Sequence, residues 1–340
     1  MKTIDFENHF ATPEWVDALN TNPGYPRFER SAEGNLRLCY RAEAAEPFSD
    51  VLLDRLLDIG EGRIALMDAA GIDVAVLSLV APGAEHFDPA LGTEAARKAN
   101  DRLAEAVQLY PDRFRGYAAL APRDPEAAVG ELQRAVKELG LQGWKTHCNY
   151  GDSYLDEKRY RPLLAKAEEL GIPIYLHPTV PMIKEFWTYG ISLAGASFGF
   201  GMETALVVMR LILSGAFDTF PKLKIIVGHY GEGLPFLLRR MDWLHERPHV
   251  KADKGALVSL GRKPSEYFRE NFMVTTSGNY LEAAFRCTKD ALGMQNIMLG
   301  TDFPFDDPSQ CFAFLESLDL TPEDRFALYE GNAATVGVRA

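Results

Sequence analysis

Short apolar runs alternate with longer amphipathic stretches along most of the chain. After residue 57, apolar runs of strand length recur at 73–80, 115–120, 143–147, 173–177, 223–229, 272–277 and 297–302. Runs of this length are typical of strands buried on both faces. The intervening stretches 63–70, 94–110, 124–139, 156–170, 199–215, 232–245, 281–292 and 322–336 have helical spacing. Gly71, Gly140 and Gly171 follow three of them, where a helix commonly ends.

The first strand lies at the start of the chain, where Ile4, Phe6 and Phe10 form an apolar run. It brings the number of predicted strands to eight, and strands that alternate with helices indicate a parallel sheet. Eight such units predict an α/β fold with one distorted (β/α)8 TIM barrel that spans residues 1–340 as a single domain. A doubly wound open sheet is the alternative, but no Gly-rich phosphate turn follows the first strand.

Residues 11–56 interrupt this rhythm. They contain Pro13, Pro23, Pro26 and Pro47 and little periodicity, so we expect an irregular insertion after the first strand, with a small hairpin near 36–40. Such insertions shape a substrate site or an oligomer contact, although simple packing is the alternative.

Composition narrows the functional classes. The chain has a net charge of -12, which argues against nucleic acid as a partner, and it lacks an apolar run long enough to span a bilayer. Its four cysteines are scattered without a C-x-x-C pair, and no secretory signal is visible. We therefore expect a cytoplasmic protein with free thiols.

Polar residues stand at the ends of several predicted strands. They are Glu7 and His9 on the first strand, Lys145 and His147 on the fourth, His177 on the fifth, His229 on the sixth and Asp302 on the eighth. All C-terminal strand ends of a barrel face the same mouth. Glu7 and His9, two residues apart, would point to one face of their strand, although alone they could be ordinary residues of an edge strand. Together these side chains predict a metal centre at the mouth.

His229 and Glu232 are three residues apart at a strand-to-helix junction. This spacing allows the carboxylate to orient the imidazole, as in a general acid or base. A glutamate that caps a helix beside a buried histidine is the structural alternative. Because a metal site is predicted nearby, we favour the interpretation of His229 and Glu232 as a catalytic pair over the structural alternative.

Four motifs carry a family resemblance: Glu7-Asn8-His9, and the segments at 175–178 (YLHP), 228–235 (GHYGEGLP) and 300–305 (GTDFPF). With them the chain resembles the metal-dependent amidohydrolase superfamily. More narrowly, it resembles the branch that contains aminocarboxymuconate semialdehyde decarboxylase and the γ-resorcylate, dihydroxybenzoate and 5-carboxyvanillate decarboxylases. The resemblance covers nearly the whole chain. Its four motifs are specific for this branch and much less specific for the substrate.

The resemblance implies that Glu7, His9, His177 and Asp302 hold one divalent ion, Zn²⁺ or Mn²⁺. In the wider superfamily a carbamylated lysine on strand four bridges two metals. Lys145 leaves that arrangement open, although a structural role or a substrate contact is favoured.

The resemblance further implies a non-oxidative decarboxylase (a carboxy-lyase) of an aromatic carboxylic acid with an ortho-hydroxyl group. Asp302 would protonate the ring carbon that bears the carboxylate before carbon dioxide leaves, and His229 with Glu232 would set the protonation of Asp302. Candidate substrate contacts are Arg240, which could act across a subunit boundary, Phe305, one of Phe198 or Phe200, and His147. We expect the ring substituents to be selected by residues in 11–56 and 180–200. Relatives form homodimers or homotetramers.

Two other functions stay open at this point. One is a hydrolase or hydratase of the same superfamily, in which the metal activates water to attack a lactone or an enol. The other is a barrel whose metal is structural, since four protein ligands can close a site. The long insertion and the pair of His229 and Glu232 argue against a structural ion.

Overall fold

The computed structural model describes residues 1–253, 255 and 257–338, and its architecture is a barrel of parallel strands with helices outside. The strands in this part of the chain are β1 (Ile4–Phe10), β2 (Arg27–Arg30), β3 (Leu36–Arg41), β4 (Ala44–Pro47), β5 (Val74–Leu79), β6 (Phe114–Ala118), β7 (Gly143–His147), β8 (Ile174–His177), β9 (Ile225–Val227), β10 (Phe272–Thr275) and β11 (Ile297–Met298). The barrel strands follow one another in chain order as β1-β5-β6-β7-β8-β9-β10-β11. This order confirms the predicted (β/α)8 fold.

Helices surround this barrel and connect its strands. They are α1 (Pro13–Thr21), α2 (Asp50–Leu57), α3 (Glu61–Ala70), α4 (Pro89–Leu109), α5 (Pro125–Lys137), α6 (Arg161–Leu170), α7 (Ile191–Ala194), α8 (Gly199–Leu213), α9 (Ala216–Thr219), α10 (Leu234–Asp242), α11 (Pro248–Ala252), α12 (Pro264–Asn271), α13 (Glu282–Leu292), α14 (Pro308–Ser317) and α15 (Pro322–Tyr329). None of the helices in the described residues has the length and apolar character needed to cross a bilayer.

Hydrogen bonds between β1 and the chain that follows β11 bring the last strand back to the first. The Phe6 amide donates to the Leu299 carbonyl (2.9 Å), and the His9 amide donates to the Phe303 carbonyl (2.8 Å). The Phe303 amide donates to the Glu7 carbonyl (3.1 Å). The backbone around Glu7 and His9 is therefore tied directly to the backbone around Asp302.

Apolar side chains fill the barrel below this closure. One buried cluster joins inward-facing residues of the strands to the C-terminal segment: Ile4, Phe6, Val74, Val76, Tyr117, Tyr175, Ile226, Met273, Met298, Ala333, Val336 and Val338. Two larger clusters pack the outer strand faces against the helices. Because the interior is filled at this end, the polar residues at the C-terminal strand ends face the open mouth.

The prediction that residues 11–56 are irregular is wrong, although the expected hairpin near 36–40 is present as β3 and β4. They form α1, a three-stranded antiparallel sheet in the order β2-β3-β4, and α2. The side chain of Thr12 caps α1 and that of Ser49 caps α2. Trp15 of α1 is completely buried and donates a hydrogen bond to the Gly83 carbonyl (2.9 Å). The prolines hid these elements because they stand at helix starts and strand ends, where proline is tolerated.

Several predicted element ends are shorter in the structure. The sixth barrel strand stops at Val227 rather than at residue 229, and the eighth stops at Met298 rather than at residue 302. The predicted helix 232–245 begins at Leu234, and the predicted helix 322–336 gives way after Tyr329 to the 3-10 helix Gly331–Val336. The strand ends are shorter because the chain leaves extended geometry to present side chains at the mouth.

Candidate metal centre and substrate cavity

Four side chains from strands far apart in sequence converge at the barrel mouth. Glu7, His9, His177 and Asp302 each present one possible ligand atom, and these atoms all lie within 4.8 Å of one another. Two imidazoles and two carboxylates form a donor set that suits a divalent transition metal. The structure thus brings together the four residues that the family resemblance implied as metal ligands.

Glu7 is held rigidly and yet keeps one oxygen unpaired. Its Oε2 accepts hydrogen bonds from the hydroxyl groups of Thr275 (2.8 Å) and Ser277. Its Oε1 is buried and has no hydrogen-bond partner in the described part of the chain. An unpaired buried carboxylate oxygen is costly unless something binds it. Since Oε1 lies 3.8 Å from Nε2 of His177, this oxygen fits the role of a metal ligand.

The two imidazoles of the cluster are oriented by contacts on their outer nitrogens. His177 Nδ1 lies 2.8 Å from the carbonyl oxygen of Pro178, so it donates there and leaves Nε2 free toward the cluster. His9 Nδ1 lies 3.2 Å from Nζ of Lys145, and its Nε2 lies 2.9 Å from Oδ1 of Asp302. Second partners of this kind fix the ring orientation of a histidine that binds a metal.

Lys145 lies behind His9 rather than inside the cluster. Its Nζ donates to the carbonyl oxygen of Leu79 (2.7 Å) and is fully buried. Burial lowers the pKa of Lys145 to about 7. This position beside the His9 ring supports a structural role for Lys145.

The predicted pair of His229 and Glu232 forms beside the cluster. His229 Nδ1 lies 2.8 Å from Oε1 of Glu232, and His229 Nε2 lies 3.9 Å from both Glu7 Oε1 and Asp302 Oδ2. Two glycines leave room for the pair. A Cβ at Gly278 would lie 2.6 Å from the His229 ring, and one at Gly201 would lie 2.6 Å from a carboxylate oxygen of Glu232.

Left-handed backbone conformations concentrate at this site. Among the non-glycine residues described, positive φ angles occur at His229 (51°), Tyr230 (56°), Glu232 (53°) and Asp302 (59°). Each costs roughly 1–3 kcal/mol, and such residues cluster at functional sites. The left-handed conformation at His229 also prevents β9 from continuing to the predicted residue 229.

The charges around the mouth favour the protonated form of His229. Burial alone would lower the pKa of His229, but the charges of Glu232 and Glu7 outweigh burial and raise it well above its ordinary value. For Asp302, burial opposes ionisation, but the imidazoles of His229 and His9 outweigh it and lower the pKa of the carboxyl. Burial and the charge of Lys145 lower the pKa of both His9 and His177. Neutral imidazoles and ionised carboxylates are the forms that bind metals.

A cavity of about 430 Å³ opens directly above the cluster. Its wall combines aromatic rings with polar side chains from several loops, and it is lined by Tyr40, Glu46, Ala81, His177, Pro178, Ala196, Ser197, Phe198, Phe200, Gly201, Met202, His229, Glu232, Gly233, Gly278, Asn279, Asp302, Phe305 and Asp306. This volume is within the usual range for small-molecule sites. Part of the lining comes from 11–56 and 180–200, the two segments expected to select the substrate.

Phe305 and both candidate phenylalanines, Phe198 and Phe200, line this cavity. The ring of Phe305 meets that of His9 edge-on at 5.7 Å between centroids. A flat aromatic ligand above the metal cluster would therefore contact Phe305.

The structure does not bring His147 or Arg240 to the cavity of this chain. His147 is buried, and its Nδ1 lies 3.0 Å from Oε1 of the buried Glu85. Arg240 is exposed on α10 and lies over the Trp243 ring at 4.7 Å. A substrate contact by Arg240 stays a prediction that requires a second copy of the chain.

Sequence reasoning missed Asp5, although a carboxylate within an apolar strand was a visible signal. Asp5 is fully buried and accepts hydrogen bonds from the Thr301 amide (3.0 Å) and the Glu7 amide (3.1 Å). Burial raises its pKa to about 7. Asp5 thus fastens β1 to the loop that carries Asp302. Tyr40, Glu46, Asn279 and Asp306 were also missed, because they reach the cavity from loops and from the insertion, where no periodic pattern marks them.

Comparison with known proteins agrees with this geometry. The model of the amidohydrolase family (Amidohydro_2) matches residues 4–336. The chain belongs to the amidohydrolase family. Among the relatives of this amidohydrolase, a γ-resorcylate decarboxylase from Rhodococcus jostii (strain RHA1) is 36% identical over 98% of the chain and 97% of the relative.

Two solved structures are also similar to this amidohydrolase. The 5-carboxyvanillate decarboxylase from Sphingomonas paucimobilis superposes with a TM-score of 0.87 at 34% identity, covering 98% of both chains. The dihydroxybenzoic acid decarboxylase from Polaromonas sp. JS666, solved with manganese and the inhibitor 2-nitroresorcinol, superposes with a TM-score of 0.83 at 36% identity, covering 98% of this chain and 96% of that one. All three are similar along nearly their whole length.

Proposed function

We propose that this amidohydrolase is a metal-dependent, non-oxidative decarboxylase of an aromatic carboxylic acid that carries an ortho-hydroxyl group. The observation that carries the proposal is the cluster of Glu7, His9, His177 and Asp302, with its unpaired carboxylate oxygen, at the floor of an aromatic-walled cavity. Relatives of the same length that are named as decarboxylases of dihydroxybenzoates support the same reaction.

The four residues of the cluster would hold one divalent ion. Mn²⁺ is favoured over Zn²⁺ because a similar structure contains manganese and because half of the donor set is carboxylate. When bound, the ion would act as a Lewis acid and as a template for the carboxylate and ortho-hydroxyl oxygens of the substrate. Lys145 would support His9 from behind, outside the ligand set.

The chain itself would handle the proton. Asp302 would deliver a proton to the ring carbon that bears the carboxylate, after which the carbon–carbon bond breaks, carbon dioxide leaves and aromaticity returns. His229, which is held by Glu232 and lies 3.9 Å from Asp302 Oδ2, would supply the proton that Asp302 transfers. Phe305 would pack against the substrate ring above His9.

We also propose that residues 1–340 form a single barrel domain, which the family match over 4–336 supports. We propose a cytoplasmic homodimer or homotetramer that binds neither nucleic acid nor membrane. The net charge of -12 argues against nucleic acid as a partner. The free thiols support a cytoplasmic location, and they are those of Cys39, Cys148, Cys287 and Cys311. The exposed apolar side chains Phe236 on α10 and Trp243 at its end, near Arg240, support the oligomer.

The decisive experiment is an assay of carbon dioxide release by manganese-loaded protein over a panel of ortho-hydroxybenzoates and heteroaromatic acids. We expect release that a chelator stops. If protein with demonstrated bound metal releases no carbon dioxide from any member, the proposal is wrong. Lactones and enols would then test the hydrolase or hydratase alternative.

A further inference from the structure

One wall of the cavity is built by the insertion rather than by the barrel. β3 and β4 are paired antiparallel with Leu38 opposite Glu46, and the register shifts between Cys39 and Arg41. Such a bulge reorients the side chain at the shift, which is that of Tyr40. Both Tyr40 and Glu46 line the cavity, and the Tyr40 hydroxyl donates to Oε2 of Glu46 (3.0 Å).

Packing against a neighbouring helix positions the Tyr40 ring of this pair. The Tyr40 ring meets the ring of Phe200 edge-on at 6.2 Å between centroids, and Phe200 is buried on α8. With Oε2 engaged by Tyr40, Oε1 of Glu46 accepts no hydrogen bond from the described residues. Glu46 is half-buried, and burial together with the charge of Asp302 raises its pKa to about 6. A pre-positioned acceptor therefore faces the cavity within electrostatic reach of the proposed metal ligands.

A second carboxylate lies in the same wall of the cavity. Asp306 lines the cavity and accepts a hydrogen bond from the Tyr280 hydroxyl (3.1 Å). Among the described residues, no lysine or arginine lines the cavity. Away from the metal cluster, the described cavity wall therefore offers carboxylates that accept hydrogen bonds. It has no lysine or arginine that could neutralise a second anionic group on a substrate.

We propose that Glu46, held by Tyr40, accepts a hydrogen bond from a ring hydroxyl or amino group and so determines which substituted ortho-hydroxybenzoate the enzyme decarboxylates. The inference rests on the proposed function and narrows its substrate class to acids with one carboxylate and an additional donor group on the ring. A methoxy group at the same position has no hydrogen to donate and leaves Oε1 unpaired. A second carboxylate there would face Glu46 and Asp306, and like charges repel in a partly desolvated cavity.

The test compares 2-hydroxybenzoates that bear a hydroxyl, amino, methoxy or carboxylate group at the ring positions meta and para to the first carboxylate. For the wild type, we expect kcat/KM for the best hydroxyl or amino compound to exceed that of its matched methyl ether by about 10- to 100-fold, the effect of one hydrogen bond to a charged acceptor. Glu46→Gln keeps an acceptor oxygen and should reduce this ratio in part. Glu46→Leu should bring it close to one.

Glu43→Gln is the matched control. Glu43 is on the same hairpin, is exposed and lies outside the cavity, with an ion pair to Arg41 at 4.0 Å. Its substitution removes the same charge and should leave the ratio at the wild-type value. The ratio within one protein is independent of the fraction that is folded, so partial misfolding of a variant does not affect the result.

The outcomes separate this inference from the proposed function. Release of carbon dioxide from any compound supports the decarboxylase, whatever the ratio. An unchanged ratio in Glu46→Leu, or a wild-type preference for the methyl ether or the dicarboxylate, overturns the role of Glu46. If no compound is turned over, the same ratios are measured as dissociation constants by calorimetry on the manganese-loaded protein, with the same expected and contrary results.

Discussion

Removing one carboxylate from the metal cluster should reduce the stability that a metal adds to the fold. We choose Glu7→Gln, because the amide is nearly isosteric and keeps an oxygen for the hydrogen bonds of Thr275 and Ser277. The change removes the charge at Oε1, the atom left without a partner in the buried cluster. The variant should therefore fold and lose metal affinity rather than core packing.

The magnitude follows from linkage. A metal present at 100 times its dissociation constant stabilises the folded state by about 2.7 kcal/mol. If the variant binds about 100-fold more weakly, the same concentration equals its dissociation constant and adds only about 0.4 kcal/mol. With an unfolding entropy of roughly 2.1 cal/mol/K for each of the 340 residues, these energies correspond to increases in Tm of about 4 °C and about 0.6 °C.

Thermal unfolding with added Mn²⁺, compared with unfolding in a chelator, measures both increases. Glu14→Gln is the control, since Glu14 is exposed on α1 and should preserve the full response. A wild type whose Tm does not respond to Mn²⁺ or Zn²⁺ would refute the metal centre. A variant that keeps the wild-type response would refute the assignment of Glu7 as a ligand.

Three further predictions follow from the site. Asp302→Asn should lower kcat by about 100- to 10,000-fold as a proton donor is lost; near-full activity in metal-loaded protein would contradict that role. In chelator, the unfolding free energy should rise between about pH 7 and pH 10.5, because the unfolded chain then holds a proton that buried Lys145, with its pKa of about 7, has released. Lys145→Met should reduce this slope by up to about 1.4 kcal/mol per pH unit in denaturant titrations, and an equal slope in both proteins would contradict the lowered pKa. Arg63 is 1% exposed and donates to the carbonyl oxygens of His9 (2.9 Å) and Arg55 (2.8 Å). Arg63→Met should therefore lower the free energy of unfolding in urea by about 2–4 kcal/mol, because buried acceptors lose their partner. Arg286→Met, a change on the surface, should lower it by less than about 0.5 kcal/mol.

The barrel and the polar residues at its mouth were accessible from the sequence because both depend on local patterns. Strand-length apolar runs between amphipathic segments predicted the parallel sheet, and parallel strands place their C-terminal ends on one side. Glu7, His9, His177 and Asp302 could therefore be assigned to one place without coordinates. The spacing of His229 and Glu232 predicted their contact for a similar reason, since three residues across a turn bring two side chains together.

The polar part of the substrate wall depended on tertiary structure. Tyr40 and Glu46 belong to an insertion whose sheet pairs only with itself, and nothing in its sequence states which side of the barrel it covers. Asn279 and Asp306 reach the same cavity from two other segments. Lys145 and His147 show the converse, since both end a barrel strand as predicted but are buried behind the metal ligands.

The sequence by itself thus determined the barrel and the polar residues at its mouth, because the period of a strand and the direction of a parallel sheet are set by local geometry. The choice of Glu7, His9, His177 and Asp302 among these residues as metal ligands came from the family resemblance. Only the tertiary structure decided which polar groups face the cavity. Loops and the insertion are positioned by packing against distant elements, and the orientation of a side chain such as that of Glu46 depends on its neighbours in space.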